Sequence, residues 1–323
     1  MLSTVGKEVV MLSYPNLLFQ YSASRAGSLA TDVRFTTFHR WFRGFWRQHF
    51  DRPPPEGRQG EWSYDWSEVL RLLPNHRTAR STLPSLVIDE GQDLPRDFYL
   101  LCTALGADVS VFADENRCIG DRQSTLNEMR ARLGAGLGEV RLDGDHRSTQ
   151  EVARLASHYR AGTASPLPAP ARSHTVPLLV RMRSLDEFAE ELIRYARAHP
   201  QSGIGVLCRT AALVGTLQYK LAQRRHESHV QAYVSNDVHR SRVNFDRPGI
   251  LITSASTARG LEFDSLFVPD LEQYTEDPTT LDSRFRFQAM ISRAREEVYL
   301  AYVGSQEPRI VADVPADVLK RAN

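Results

Sequence analysis

Lysine is almost missing from this sequence. Only Lys7, Lys220 and Lys320 occur among 323 residues, and arginine supplies the rest of the 40 basic side chains. That scarcity excludes a common device. A G-x-x-x-x-G-K-[ST] phosphate loop needs clustered glycines, a lysine and a hydroxyl directly after a strand. Lys220 sits in "LQYKLAQ" and Lys320 in "VLKRAN", neither next to a glycine. Lys7 follows Gly6, but Met1 stands where the first glycine belongs and Glu8 where the hydroxyl belongs. The Gly-Lys pair also precedes a strand-like run instead of following one. Cysteine is scarce as well. Cys102, Cys118 and Cys208 are too widely spaced for a disulfide framework or a metal-ligand pattern, and a reducing cytoplasm suits them. No run is long and apolar enough to span a membrane. "MLSTVGKEVVMLSYP" is not a secretory leader, because Glu8 interrupts it. The formal net charge of +1 leaves whole-chain electrostatics pointing at no class of partner.

What is present is an alternation of short apolar runs with helical patterns. "EVVMLSY", "DVRFTTF", "SLVIDE" and "DVSVFAD" read as strands, and helices are predicted over "NLLFQYSASRAGSL", "FHRWFRGFWRQHF", "WSEVLRLLP" and "DFYLLCTAL". A second series follows "TQEVARLASHYR", with strands "PLLVRM", "IGVLCR", "GILITSAS", "SLFVPDL" and "VYLAYVG". Its helices are "SLDEFAEELIRYARAHP", "AALVGTLQYKLAQRR" and "FRFQAMISRAREE". This rhythm predicts two open parallel α/β domains, 1–140 and 141–323. Within "FHRWFRGFWRQHF", Phe38, Trp41, Phe42, Phe45 and Trp46 share one helical face. The stripe reads mainly as core. Phe38 and His39, nearest the strand end, are the candidates for stacking on bases.

The densest chemistry lies in "SLVIDEGQDLP", residues 85–95. Ligands of open parallel sheets bind at the C-terminal strand ends. An aspartate there commonly holds Mg²⁺, and an adjacent glutamate polarises an attacking water. An acidic strand-to-loop junction with no catalytic role is the alternative for Asp89 and Glu90 taken alone.

The ordered set of motifs resembles superfamily 1 helicases of the UvrD/Rep type. "DEGQD" resembles that family's "DEAQD", "FTTFHRW" a DNA-contacting motif, and "VFADENRCI" its third motif. "LDGDHRSTQEVARLA", "ITSASTARGLEFDSLFVPDL" and "FQAMISRAREEVYLAYVG" resemble the fourth, fifth and sixth motifs. The likeness runs along nearly the whole chain but covers only paired motor cores, without room for large auxiliary insertions. It implies two RecA-like, parallel-sheet domains of the P-loop NTPase type. The first lacks its initial strand, its phosphate loop and most of its first helix.

The resemblance also implies roles. Asp89 would hold Mg²⁺, Glu90 would be the catalytic carboxylate, and Gln92 would belong to the nucleotide site. Arg147 and Arg293 would meet the phosphates, Arg293 as the arginine finger. Glu262 would contact the nucleotide sugar, and Gly260 would allow close backbone approach. Thr37, Phe38, His39, Thr257 and Arg259 would meet nucleic acid. Arg117 stands where the family has a phosphate-sensing glutamine, and Arg259 where it usually has lysine. The implied cofactors are ATP and Mg²⁺, lodged between the two domains. The implied partner is single-stranded DNA or a DNA junction, in a cytoplasmic protein. With no phosphate loop, three expectations stand side by side: a shortened helicase inactive alone as an ATPase, a partner chain that supplies the loop, or a nucleic-acid-binding remnant of a helicase.

Overall fold

In a computed structural model, the chain divides into two compact units, Met1–Val140 and Arg141–Asn323. The structure describes residues 7–27, 31–57, 63–73, 83–114, 124–134, 138–142, 147–160, 172–224, 226–234 and 242–322.

Unit 1 holds β1 (Val9–Ser13), α1 (Asn16–Ala26), β2 (Val33–Thr37), α2 (Phe38–Phe50), α3 (Trp66–Leu72), β3 (Ser85–Ile88), α4 (Arg96–Leu105), β4 (Val109–Val111) and α5 (Leu126–Leu133). Its four strands are all parallel, in the order β2-β1-β3-β4. Lys7 ties the start of β1 to Asp108 at the start of β4 across 2.6 Å. One of the three lysines is therefore a strap beneath the sheet.

Helix α2 explains much of the unit's core. Its five aromatic stripe residues are all buried. Phe42 is fully buried and meets Tyr64 edge-on at 4.7 Å and Trp66 at 5.3 Å between ring centroids. Phe38 packs edge-on against Phe98 of α4 at 4.9 Å. Arg40 and Arg47 of the same helix are exposed. Spacing by three and one residues places the rings inward and these arginines outward.

Unit 2 holds α6 (Gln150–His158), β5 (Leu178–Met182), α7 (Leu185–Ala198), β6 (Gly203–Cys208), α8 (Ala211–Ala222), β7 (Val230–Tyr233), β8 (Gly249–Ser254), β9 (Phe263–Val268), α9 (Leu281–Ile291), β10 (Ala294–Val303) and β11 (Lys320–Ala322). The strands form one parallel sheet in the order β11-β5-β10-β9-β6-β8-β7. Both units thus have the open parallel α/β architecture that RecA-like domains share. Strands β6 and β9 are buried almost throughout, as sheets covered on both faces require.

The helix expected over "FRFQAMISRAREE" is shorter than its pattern suggests. It stops at Ile291, and Ala294 already begins β10. Pairing of β10 with β9 and β5 overrides the helical propensity of "RAREE". Arg293 consequently lies in a turn and not on a helix surface.

Candidate functional site

In unit 1 the C-terminal ends of four parallel strands share one edge, and the candidate residues lie along it. Asp89 and Glu90 follow β3, Tyr14 follows β1, and His39 is the second residue of α2, which begins where β2 ends. The backbone of Asp89 is fixed by donating its N–H to the Leu12 carbonyl at 3.0 Å, which links the carboxylate turn to β1.

Glu90 carries the unit's clearest strain. Its φ of 51° and ψ of 51° place a non-glycine residue in the left-handed region. Such a conformation costs on the order of 1 kcal/mol and persists only where surroundings fix it. Three contacts do so. Glu90 N–H donates to Asp89 Oδ1 at 3.0 Å. Gln92 Nε2 donates to Glu90 Oε2 at 2.6 Å, and Gln92 Oε1 accepts the Asp114 N–H at 3.1 Å. Gln92 is only 2% exposed, so its amide is a strut between the Glu90 carboxylate and the end of β4. Both ends of the Gln92 amide are thus engaged, one by Glu90 and one by the Asp114 backbone.

Asp89 and Glu90 offer adjacent hard oxygen donors at a strand end. That set fits a Mg²⁺ ion that keeps most of its waters. Among the described residues, no group of three or more His, Cys, Asp or Glu side chains could form an all-protein metal cage.

The aromatic end of the same edge differs from expectation at one residue. Phe38 is 1% exposed and wedged among Phe42, Trp66 and Phe98, so it belongs to the core and cannot reach a base without opening it. Periodicity marks Phe38 as part of the stripe; proximity to the strand end does not turn it outward. Thr37 is the N-cap of α2, and its hydroxyl accepts the Arg40 N–H at 3.4 Å. Tyr64 and Trp66 pack into the aromatic core. His39 stays at the rim. Its Nδ1 shares a 3.1 Å hydrogen bond with the Tyr64 hydroxyl, and its ring meets Tyr14 edge-on at 5.2 Å. Tyr14, which the sequence did not single out, is 39% exposed.

Burial, reinforced by Arg43, pushes the His39 pKa down to about 4. The folded protein thus favours neutral imidazole, whereas the unfolded chain binds a proton near pH 6.5. Stability from this group is complete above pH 6.5 and is lost as pH falls towards 4. We expect acidification from pH 7 to 4 to cost unit 1 on the order of 2 kcal/mol through His39, and His39→Gln to remove that component. All four tryptophans (Trp41, Trp46, Trp62 and Trp66) lie in unit 1, so tryptophan-monitored denaturation at several pH values reads it directly.

Unit 2 gathers its candidates at the starts of β9 and β10. Glu262 precedes β9, and Arg147 precedes α6. The loop bearing Arg147 docks on β10: Thr149 N–H donates to the Arg295 carbonyl at 2.9 Å, and the Thr149 hydroxyl to the Glu296 carbonyl at 3.2 Å. Arg147 Nε lies 2.7 Å from Glu262 Oε1. The two residues expected to serve the phosphates and the sugar are therefore partners of one another here.

Arg293 is 5% exposed, and its guanidinium donates to the carbonyls of Ala289 at 3.1 Å and Leu261 at 3.5 Å. In this structure it braces the turn that carries Glu262 and is not displayed as a finger. Gly260 has φ of 77°, a left-handed conformation that a side chain would strain, and Leu261 N–H closes the turn on the Ala258 carbonyl. Thr257 sits in the turn after β8, its hydroxyl 2.7 Å from that of Ser254, and Arg259 is exposed. Arg117 lies outside the described residues.

Sequence reasoning missed Arg295. It donates through Nε and Nη2 to Glu262 Oε2 at 3.0 and 2.8 Å. The signal lay in β10, whose register with β9 shifts between Ala294 and Glu297. Such a bulge re-aims a side chain, and no periodicity announces it.

No family model matches the chain, and no curated protein matches it. Among solved structures, the C-terminal domain of a possible DNA helicase from Lactobacillus plantarum WCFS1 is similar, with 19% identity and a TM-score of 0.42. The match covers 55% of this chain and 99% of that one. Dbp5 from S. cerevisiae, bound to RNA and ADP BeF3, is similar over 98% of this chain and 77% of its own, with 11% identity and a TM-score of 0.44. These likenesses carry no residue-by-residue correspondence. Among the described residues, no helix is long and apolar enough to cross a membrane.

Proposed function

We propose that this chain represents the paired motor cores of a UvrD/Rep-like superfamily 1 helicase or translocase acting on single-stranded DNA. With no phosphate loop in its 323 residues, it binds the strand without turning over ATP by itself. The observation that carries this reading is the strand-end edge of unit 1. There a strained, strutted Glu90 beside Asp89 shares one sheet edge with the exposed Tyr14 and the rim residue His39.

In this reading Asp89 would hold Mg²⁺ and Glu90 would be the carboxylate that polarises a water. Mg²⁺ bound with a nucleotide would neutralise charge on the phosphoryl oxygens. Gln92 holds Glu90 in its strained conformation. Arg147 offers a guanidinium to phosphate oxygens, and Glu262 a carboxylate to the sugar. Arg293 supports the turn of Glu262. Tyr14 and His39 offer ring faces to bases, while Arg259 and Thr257 meet backbone phosphates. A phosphate loop supplied by a partner chain would complete the nucleotide site.

The test is anisotropy of a labelled single-stranded oligonucleotide, with ATP turnover followed in parallel. Binding is expected to weaken as salt rises. Tyr14→Ala should weaken it about tenfold, within the usual contribution of one base–aromatic stack. Turnover should be undetectable with or without the strand.

A further inference from the structure

Glu262 is held from both sides. Its Oε1 lies 2.7 Å from Arg147 Nε, while its Oε2 accepts two hydrogen bonds from Arg295. The carboxylate side chain is 17% exposed, against 36% for Arg147 and 33% for Arg295. Glu262 is thus the enclosed member, and both arginines are reached by solvent to a similar extent.

The two arginines are anchored differently. Arg295 lies within the β10 bulge, flanked by strand pairs on both sides, and its Nη1 is 3.8 Å from Asp264 Oδ1. Asp264 is itself fixed at the sheet, where its Oδ2 accepts the Gly203 N–H at 2.7 Å. Arg147 lies in the loop before α6, ahead of that helix's first turn. Its charge is therefore the easier of the two to move.

Removing the sole cation from an enclosed carboxylate is costly, because the orphaned charge stays poorly solvated. With Arg295 in place, withdrawal of Arg147 still leaves Glu262 paired. We propose that Arg295 is a positioning residue: it keeps Glu262 neutralised so that a polyphosphate anion takes Arg147 by exchange of ion-pair partners. The resting Arg147–Glu262 pair then acts as a latch that an anion opens and that Arg295 makes cheap to open. The identity of the anion as a nucleotide rests on the proposed function; the exchange itself does not.

The experiment uses the full chain and two probes, inorganic tripolyphosphate and Mg·ATP, titrated by calorimetry at fixed ionic strength. Far-ultraviolet circular dichroism confirms that each variant is folded. Arg295→Met should weaken tripolyphosphate binding about tenfold, since Arg147 is then the main counter-charge of Glu262. Arg295→Lys should fall between Arg295→Met and the natural chain. Glu262→Gln should tighten binding, because that carboxylate no longer competes with the anion for Arg147. The double variant Arg295→Met/Glu262→Gln should recover the affinity lost in Arg295→Met, a rescue that general damage to the fold would not give. Unchanged affinity in Arg295→Met, or a loss that persists in the double variant, overturns the proposal. So does failure of the natural chain to bind tripolyphosphate. Binding of tripolyphosphate without binding of Mg·ATP leaves the exchange standing and overturns the nucleotide reading alone.

Discussion

Replacing Gly91 with alanine, the residue that the UvrD/Rep motif itself carries in "DEAQD", is expected to destabilise unit 1 by about 3 kcal/mol. The reason is local. A Cβ at this position would lie 2.3 Å from Val111 Cγ1 and 2.9 Å from the Tyr99 hydroxyl oxygen. Neither neighbour gives easily. Val111 is β-branched, with a stiff χ1, and sits in β4. The Tyr99 hydroxyl donates to the Gly91 carbonyl at 2.6 Å and is buried. Gly91 N–H in turn donates to the Phe112 carbonyl at 2.8 Å, so displacement of Gly91 strains its link to the end of β4. The shift would reach Glu90, whose left-handed backbone adjoins it. Tryptophan-monitored denaturation, specific to unit 1, measures the cost. A change below about 1 kcal/mol would show that β4 yields freely and that glycine is incidental here.

Phe42→Ala carries the other large expected effect, a loss of about 4 kcal/mol in the same unit. Phe42 is fully buried and touches rings from three parts of the chain: Phe38 and Trp46 in α2, Tyr64 in the following segment, and Trp66 at the start of α3. Truncation removes a large apolar side chain and leaves a void that rigid neighbouring rings fill poorly. The exposed Arg47 on the opposite face is the control, and Arg47→Ala should change stability by less than about 0.5 kcal/mol. If the two substitutions cost the same, the aromatic stripe is not the organising core of unit 1.

Much of this architecture was legible in the sequence because buried parallel strands leave dense apolar runs. "VVMLS", "SLVI", "IGVLC" and "GILITS" each became a strand within a residue or two of the expected bounds. Two strands were not legible. β7, "VQAY", lies at the sheet edge beside β8, its one partner among the described residues, and is half-buried for most of its length. β11, "KRA", is a polar edge strand steadied by Arg321, whose guanidinium donates to Glu307 and to the Val311, Val314 and Leu319 carbonyls. Edge strands need little apolar surface, so periodicity does not mark them.

The site divides along the same physical line. Asp89 and Glu90 stood out through the whole "DEGQD" run after an apolar strand, since the pair alone reads equally as an ordinary acidic strand-to-loop junction. The strut role of Gln92 did not, since it depends on the Asp114 backbone, which only the parallel pairing of β3 and β4 brings close. Phe38 was drawn towards nucleic acid by its place beside a strand end, yet the helical face decides its direction and turns it into the core. Arg293 and Arg295 are two residues apart, and the turn and bulge between α9 and β10 give one to backbone carbonyls and the other to Glu262. Sequence spacing alone did not distinguish those fates.

We propose that the strand-end edge of unit 1 binds nucleic acid, and no phosphate loop lies within these 323 residues. Anisotropy of a labelled single strand against the natural chain and Tyr14→Ala, with ATP turnover recorded in the same samples, tests it most directly. Salt-sensitive binding, about tenfold weaker in Tyr14→Ala, and no turnover are expected. Absence of binding at low salt, or robust ATP hydrolysis by this chain alone, would contradict the proposal.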